Sequence, residues 1–276
     1  SLMPFLDREL ADEFIHDLRD RGVTLRFGCK VVSARVLEPG RCRIETEDGR
    51  QLSADMVLFA AGREGATDTL GLENCGLDCD SRGRITVDKA TFQTAAPHIF
   101  AAGDVIGFPS LASTSMEQGR IAACHAFGEP AHAPPEFFPY GIYSVPEIST
   151  VGMTEEEVRE RAIPYETGIA RFRETSRGHI MGLSTGFMKM IFSIETRRLL
   201  GVHIVGEGAT ELIHIGQAVL NLEGTLDYFV TNTFNYPTLA EAYKIAALDA
   251  WNRMPKEQPS TRLTTLALEK AKRIAS

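Results

Sequence analysis

The chain is predicted to be an α/β segment followed by an α+β domain, and three observations predict it. Residues 5–22 carry apolar positions at helical spacing, and several strand-like runs follow, ending in the apolar run ADMVLFAA at 54–61. A short apolar run at 98–102 (HIFAA) stops at Gly103-Asp104 and is followed by a helical pattern. From residue 140 the pattern changes to a hairpin and two long helices, the layout of an antiparallel sheet with helices around it.

Composition bounds the answer. The 276 residues hold 29 Lys+Arg and 37 Asp+Glu, a net charge of −8, with 43% hydrophobic and 24% charged residues. That is a globular balance, and the length suits about two domains. The acidic excess argues against a nucleic-acid or anionic-membrane partner. No apolar run approaches the ~20 residues that span a bilayer, and no leader pattern opens the chain, so a cytoplasmic protein is expected. Cys29, Cys42, Cys75, Cys79 and Cys124 are odd in number and irregular in spacing, which fits reduced thiols. Cys75 and Cys79 lie four apart, but no second pair or clustered His completes a zinc set, and no metal is expected.

The elements follow in order. Phe5, Leu6, Leu10, Phe14, Ile15 and Leu18 form the face of a helix that ends at Gly22. Val23–Phe27 is predicted as a short strand. Runs from Lys30 to Leu37 and from Arg41 to Thr46 follow, with turns at Pro39-Gly40 and Asp48-Gly49. Ala54–Ala61 is predicted as a buried strand closing at Gly62-Arg63. Arg84–Asp88 alternates like a strand, as does the run before Gly103, and a helix is expected over Leu111–Phe127. Residues 128–139 (GEPAHAPPEFFP) are expected to be a linker. Beyond it come a helix at 154–162, strands at Lys189–Ile194 and Leu199–Val205 about the turn Glu195–Arg198, and helices at 209–223 and 238–253. A polar tail begins at Pro255.

Chemistry concentrates at 99–120 (IFAAGDVIGFPSLASTSMEQGR). A strand ending in Gly103-Asp104 places a carboxylate at a sheet's carboxyl edge, where α/β ligands bind. Gly103 lets a ligand approach the backbone, and Asp104 can accept hydrogen bonds from sugar or ribityl hydroxyls. Leu111, Ala112 and Ser113 begin a helix whose unpaired N–H groups favour an anion or developing negative charge. By itself Gly-Asp is equally a plain turn, with Ser113 an ordinary cap.

This whole segment resembles the FAD-contacting segment of the flavoprotein disulfide reductases, the class I pyridine nucleotide-disulfide oxidoreductases. AAGREGATDTLGLENCGL at 60–77 resembles the exit from that family's NAD domain, and YSVPEISTVGMTEEE at 143–157 the opening of its dimerisation domain. The resemblance implies a remnant of a Rossmann-like NAD(P) domain at 1–63, part of an FAD domain at 64–130, a dimerisation domain at 140–254 that forms a homodimer, and a tail at 255–276. It implies FAD as cofactor, NADP and NAD as substrates, Gly62 and Arg63 beside the nicotinamide, and Gly103, Asp104, Leu111, Ala112 and Ser113 at the flavin.

Residues 232–249 read NTFNYPTLAEAYKIAALD. Dihydrolipoamide dehydrogenases have His-Pro-Thr-Leu-Ser-Glu here, and their His and Glu reach the flavin of the partner subunit. In this chain the catalytic positions become Tyr236 and Glu241, with Pro237 beside the flavin. A phenol of pKa about 10 is a poor base at neutral pH, whereas imidazole near ~6.5 is well matched to proton transfer. Dithiol turnover is therefore disfavoured, while hydride exchange between nicotinamide and flavin needs no such base. The run resembles the branch of the family that passes hydride from NADPH through FAD to NAD. A dihydrolipoamide dehydrogenase-like or mercuric reductase-like enzyme is the alternative; the latter relies on a cysteine pair near its C-terminus, and no cysteine lies beyond Cys124 here. Tyr236 can equally be an interface residue with a satisfied hydroxyl.

No Gly-x-Gly-x-x-Gly follows a strand, so both dinucleotide fingerprints of the family are missing. The chain is thus expected to be the C-terminal portion of a longer polypeptide, and a cofactor-free dimerisation module is a second functional reading. His203 and His214 are expected to pack, His179 to sit in a solvated loop, and Arg197-Arg198 to form an exposed turn. Glu155-Glu156-Glu157 is expected in the first turn of a helix, and Met181, Met188 and Met190 in the core.

Overall fold

A computed structural model describes residues 2–131 and 136–255. Their contacts divide into two units: Val23–Phe138, and Leu2–Gly22 with the residues from Pro139 on.

In the first unit β1 (Val31–Glu38), β2 (Arg41–Thr46) and β3 (Gln51–Ala54) form an antiparallel sheet in chain order. Gly40, at φ 77°, supplies the left-handed turn residue between β1 and β2. The register pairs Ala34 with Ile44 and Ile44 with Leu52. The helix expected after Gly103-Asp104 is α2 (Ala112–Ala126). Its Ile121 and Ala122 bury against Phe92, with Val87, Phe100 and Ile106 around them.

Two expected strands are absent from this unit. The strand ends at Ala54, and 55–63 runs irregularly with Met56, Leu58 and Phe59 at 83%, 88% and 86% exposure. A buried strand requires a neighbour to accept its backbone hydrogen bonds, and among the described residues none pairs with this run. Val23–Phe27 is irregular for the same reason. Arg84–Asp88 and His98–Ala102 shrink to single bridges, Ile85 to Cys79 and Phe100 to Gln93.

The second unit holds β4 (Tyr140–Ile142), β5 (Ile148–Gly152), β6 (Tyr165–Arg171), β7 (Phe187–Ser193) and β8 (Leu199–Val205) in the antiparallel order β4-β5-β8-β7-β6. Every residue of β7 is buried, because helices cover its sheet and β6 and β8 flank it. Around the sheet are α1 (Arg8–Asp20), α3 (Glu155–Glu160), α4 (Ser176–Met181), α5 (Ala209–Asn221), α6 (Leu226–Thr231) and α7 (Glu241–Arg253). Leu6, Leu10 and Phe14 at the start of α1 pack on Ile148, Phe187 and Val205. Residues 2–22 therefore fold with the five-stranded sheet, while 23–63 and 64–130 share one unit.

Local chemistry explains the helix ends. Thr154 and Glu157 form a reciprocal cap on α3, whose first turn is Glu155-Glu156-Glu157 as expected. The Tyr243 hydroxyl accepts from the Gly216 N–H at 3.0 Å and donates to the Leu212 carbonyl at 2.7 Å, the two groups that a regular α5 would join. His203 is fully buried, contacting Thr150 Oγ1 and the Met153 carbonyl, whereas His214 is exposed on α5 with Gln217 as its partner.

Four details differ from expectation, the first being His214, which faces solvent from α5 where packing was expected. Arg197 is not an exposed turn residue: its guanidinium grips Asp227 through two bonds of 2.7 and 3.0 Å, because the β7–β8 turn folds against α6. Met181 is 40% exposed, while Met188 and Met190 are core. His179 lies on α4 and not in a loop. Part of the expected linker, 132–135, and the expected tail from 256 lie outside the described residues.

Candidate functional site

Each unit contributes one surface. In the first, Gly103 is buried at φ 82° and opens a single 3-10 turn over Gly103–Ile106. Its N–H donates to the buried Gln118 Oε1 at 2.8 Å, and a Cβ added to it would meet Ser115 Oγ at 3.2 Å. Helix α2 thus fixes the Gly103-Asp104 turn from beneath through Ser115 and Gln118. The Asp104 carboxylate projects outward and meets Arg63, Oδ2 to Nη1 at 2.7 Å, with both side chains well exposed. The structure therefore joins two residues that the sequence marks for different cofactors.

The N-terminus of α2 lies beside this turn. Leu111 is its N-cap residue and offers no side-chain cap, and Ala112 and Ser113 are exposed. The first backbone bond of the helix runs from the Ser115 N–H to the Leu111 carbonyl, so the amides before it have no helical acceptor. Ser113 is not the cap, since the helix has already begun at Ala112. Gly62 and Arg63 lie on the irregular, exposed stretch that precedes it in the chain.

The second surface lies at the start of α7. Tyr236 is 74% exposed and its peptide bond to Pro237 is cis. Its hydroxyl bonds Ser176 Oγ, while Glu241 Oε1 accepts the Ser176 N–H at 2.7 Å. Tyr236 and Glu241 therefore converge on Ser176, a residue that sequence reasoning missed. The signal was available only as Thr175-Ser176 ahead of a short helix, where Thr175 caps α4. Gln118 was likewise missed, since a lone Gln inside a helix carries no motif.

Among the described residues no group of three or more His, Cys, Asp or Glu is arranged to hold a metal, and no helix is long and apolar enough to cross a membrane. The five cysteines are free.

Two family models match the chain. Residues 1–119 match "Pyridine nucleotide-disulphide oxidoreductase", and residues 138–247 match "Pyridine nucleotide-disulphide oxidoreductase, dimerisation domain". The chain belongs to the pyridine nucleotide-disulphide oxidoreductase family. Within that family it is 52% identical over 254 residues to the soluble pyridine nucleotide transhydrogenase of Mycobacterium tuberculosis, covering 92% of this chain and 54% of that protein. It is 46% identical over 257 residues to the soluble pyridine nucleotide transhydrogenase of Klebsiella pneumoniae, covering 92% of this chain and 55% of that protein. The chain spans about half the length of the curated relatives it matches. Among solved structures of the family, it matches the HOCl-induced flavoprotein disulfide reductase RclA from Escherichia coli with TM-score 0.83 and 29% identity, over 90% of this chain and 57% of that one. It also matches LpdA (Rv3303c) from M. tuberculosis with TM-score 0.80 and 27% identity, over 89% of this chain and 53% of that one.

Proposed function

We propose that this chain forms the flavin-edge and dimer-forming part of a cytoplasmic enzyme that moves hydride from NADPH by way of FAD to NAD, a soluble pyridine nucleotide transhydrogenase. The observation that carries the reading is Tyr236, held by a neutral serine hydroxyl where dithiol-using relatives keep a base, within a chain 52% identical to a transhydrogenase. With a phenol in the place of an imidazole, the site suits chemistry in which no protein base is needed.

The residues present fit a flavin. Gly103 keeps the backbone low beside α2, the N-cap residue Leu111 gives that helix no side-chain cap, and the Asp104 carboxylate faces outward. When bound, FAD supplies the two-electron chemistry that takes up and returns hydride. Asp104 accepts hydrogen bonds from ribityl hydroxyls. The amides of Leu111, Ala112 and Ser113 donate toward the pyrimidine edge, favouring negative charge there. Gly62 and Arg63 border the nicotinamide. Tyr236 and Pro237 approach the flavin of a second protomer, with residues 140–254 forming the homodimer. In this scheme Glu241 acts as a positioning residue, holding the start of α4 and so the Ser176 hydroxyl that Tyr236 meets.

The test uses the full-length enzyme containing this chain. Reduction of an NAD analogue by NADPH without any dithiol is the expected result; rapid reduction of NAD by reduced lipoamide, with no transhydrogenation, sinks the reading. A second reading, a cofactor-free dimerisation module, is favoured by the lack of a Gly-x-Gly-x-x-Gly fingerprint after any strand of this sequence. An absorbance spectrum of the purified 276-residue chain separates the two. Flavin bands in stoichiometric amount exclude the module, and a colourless dimer favours it for the isolated chain.

A further inference from the structure

Lys189 lies at the middle of β7 with its side chain 1% exposed, and its ammonium meets three carboxylates. Asp7 Oδ1 is at 3.1 Å, Glu9 Oε2 at 2.8 Å, and Glu155 is also in direct contact. Asp7 has no exposed surface and Glu155 only 13%, whereas Glu9 is 55% exposed at the rim. Asp7 does more than pair. Its Oδ1 accepts the Glu9 N–H at 3.1 Å, capping α1, and its Oδ2 accepts the Glu155 N–H at 3.2 Å, holding the first residue of α3. One buried carboxylate thus ties together the first turns of two helices 148 residues apart in sequence.

The contact extends along α1. Leu10 and Phe14 pack on Ile148, Phe187 and Val205, and Thr185 Oγ1 donates to Asp17 Oδ1 at 3.1 Å beyond them. A charged end, an apolar middle and a polar far end together make a docking surface for an amphipathic helix that opens with Asp-x-Glu. The family match gives that surface its meaning. Residues 1–119 match the oxidoreductase module, yet α1 folds onto the sheet that matches the dimerisation domain, where Lys189 and Glu155 reside.

We infer that the Lys189 face of the dimerisation domain is an interaction surface for the acid-capped helix α1, and that through it a segment of the oxidoreductase module is fastened to the dimer-forming domain. Charge makes the surface specific. Without Lys189 three carboxylates would face one another, two of them with little or no access to water, and a buried unpaired charge is costly. With Lys189 but without an acid-capped helix, the ammonium would be the unpaired group. Either half alone is disfavoured, so the helix and the surface require each other.

Amide hydrogen exchange on the 276-residue chain tests this. Lys189→Met is expected to speed exchange across α1 by about 100-fold or more, while β7 and β8 remain protected. Unchanged α1 protection, or equal loss throughout the second unit, overturns the inference. The triple variant Lys189→Met/Asp7→Asn/Glu155→Gln removes the buried charges together and is expected to restore much of the α1 protection. A triple variant as open as Lys189→Met would show lost packing instead of unpaired charge, and would also overturn it. Should Lys189→Met not fold, Glu155→Gln decides: selective acceleration in α1 supports docking, and none or a uniform change refutes it.

Discussion

Arg63 Nη1 lies 2.7 Å from Asp104 Oδ2, so the residue at the end of the apolar run and the residue at the start of the 3-10 turn form one exposed ion pair. An exposed pair contributes only about 0–1 kcal/mol. Arg63→Ala and Asp104→Asn should therefore each leave thermal stability within roughly 2–4 °C of the parent. Asp104→Ala should nonetheless lower flavin content in the full-length enzyme, measured by the ratio of visible to 280-nm absorbance. Full flavin occupancy in Asp104→Ala would remove Asp104 from the cofactor site.

Tyr236→Phe tests the role of the phenol. If no protein base is used, the variant should keep transhydrogenation within about fivefold, because removing a true general acid or base costs roughly 10²–10⁴-fold. Steady-state rates with NADPH and an NAD analogue, across pH, provide the check. A loss of about 100-fold or a lost limb in the pH profile would make the hydroxyl a proton carrier.

Acid should weaken the second unit in two stages. Burial holds the His203 imidazole below its ordinary pKa, so the folded form resists a proton that the unfolded chain takes up. That stability is present above about 6.5 and is lost as pH falls toward the folded value. Burial pushes the Asp7 carboxyl up, but the facing His203, the Lys189 ammonium and the hydrogen bonds it accepts bring it below its usual range. For Glu155 burial is likewise outweighed, by hydrogen bonds from Lys189 and Tyr165 and by the charges of Lys189 and Arg159. Their contribution is present above about pH 4 and disappears as pH falls through the lowered values. Lys189 itself is shifted up despite its burial, by Asp7 and by bonds to Glu155, Glu9 and Asp7, so its charge persists into alkali. Chemical denaturation at a series of pH values should show both stages, and Asp7→Asn should flatten the lower one.

Gly168 faces α7 at its closest approach. A Cβ there would sit 1.8 Å from the Ala246 carbonyl oxygen, which is backbone and cannot rotate away. Gly168→Ala should therefore separate β6 from α7 and cost about 1–3 kcal/mol or more, outweighing any gain from added β-propensity. Urea midpoints would show it, and an unchanged midpoint would mean that α7 moves freely.

Much of the architecture follows from pattern. The β7–β8 hairpin, α2, α5 and α7 follow from apolar spacing and turn residues, since each satisfies its own backbone or that of its sequence neighbour. The irregular run at 55–63 was misjudged for the opposite reason: ADMVLFAA specifies a strand only when another strand lies alongside. Arg197 escaped notice because Asp227 lies 30 residues on.

The sequence by itself determined helices α1, α2, α3, α5 and α7 and the β7–β8 hairpin, the family, and the presence of a tyrosine where an imidazole would serve dithiol chemistry, because these depend on residue identity and local spacing. Only the tertiary structure decided that Tyr236 and Glu241 meet at Ser176, that Arg63 pairs with Asp104, and that Lys189 pairs with Asp7 and Glu9 at the start of α1. Such contacts join segments up to 182 residues apart, and hydrogen bonding and burial, which have no sequence period, select the partner.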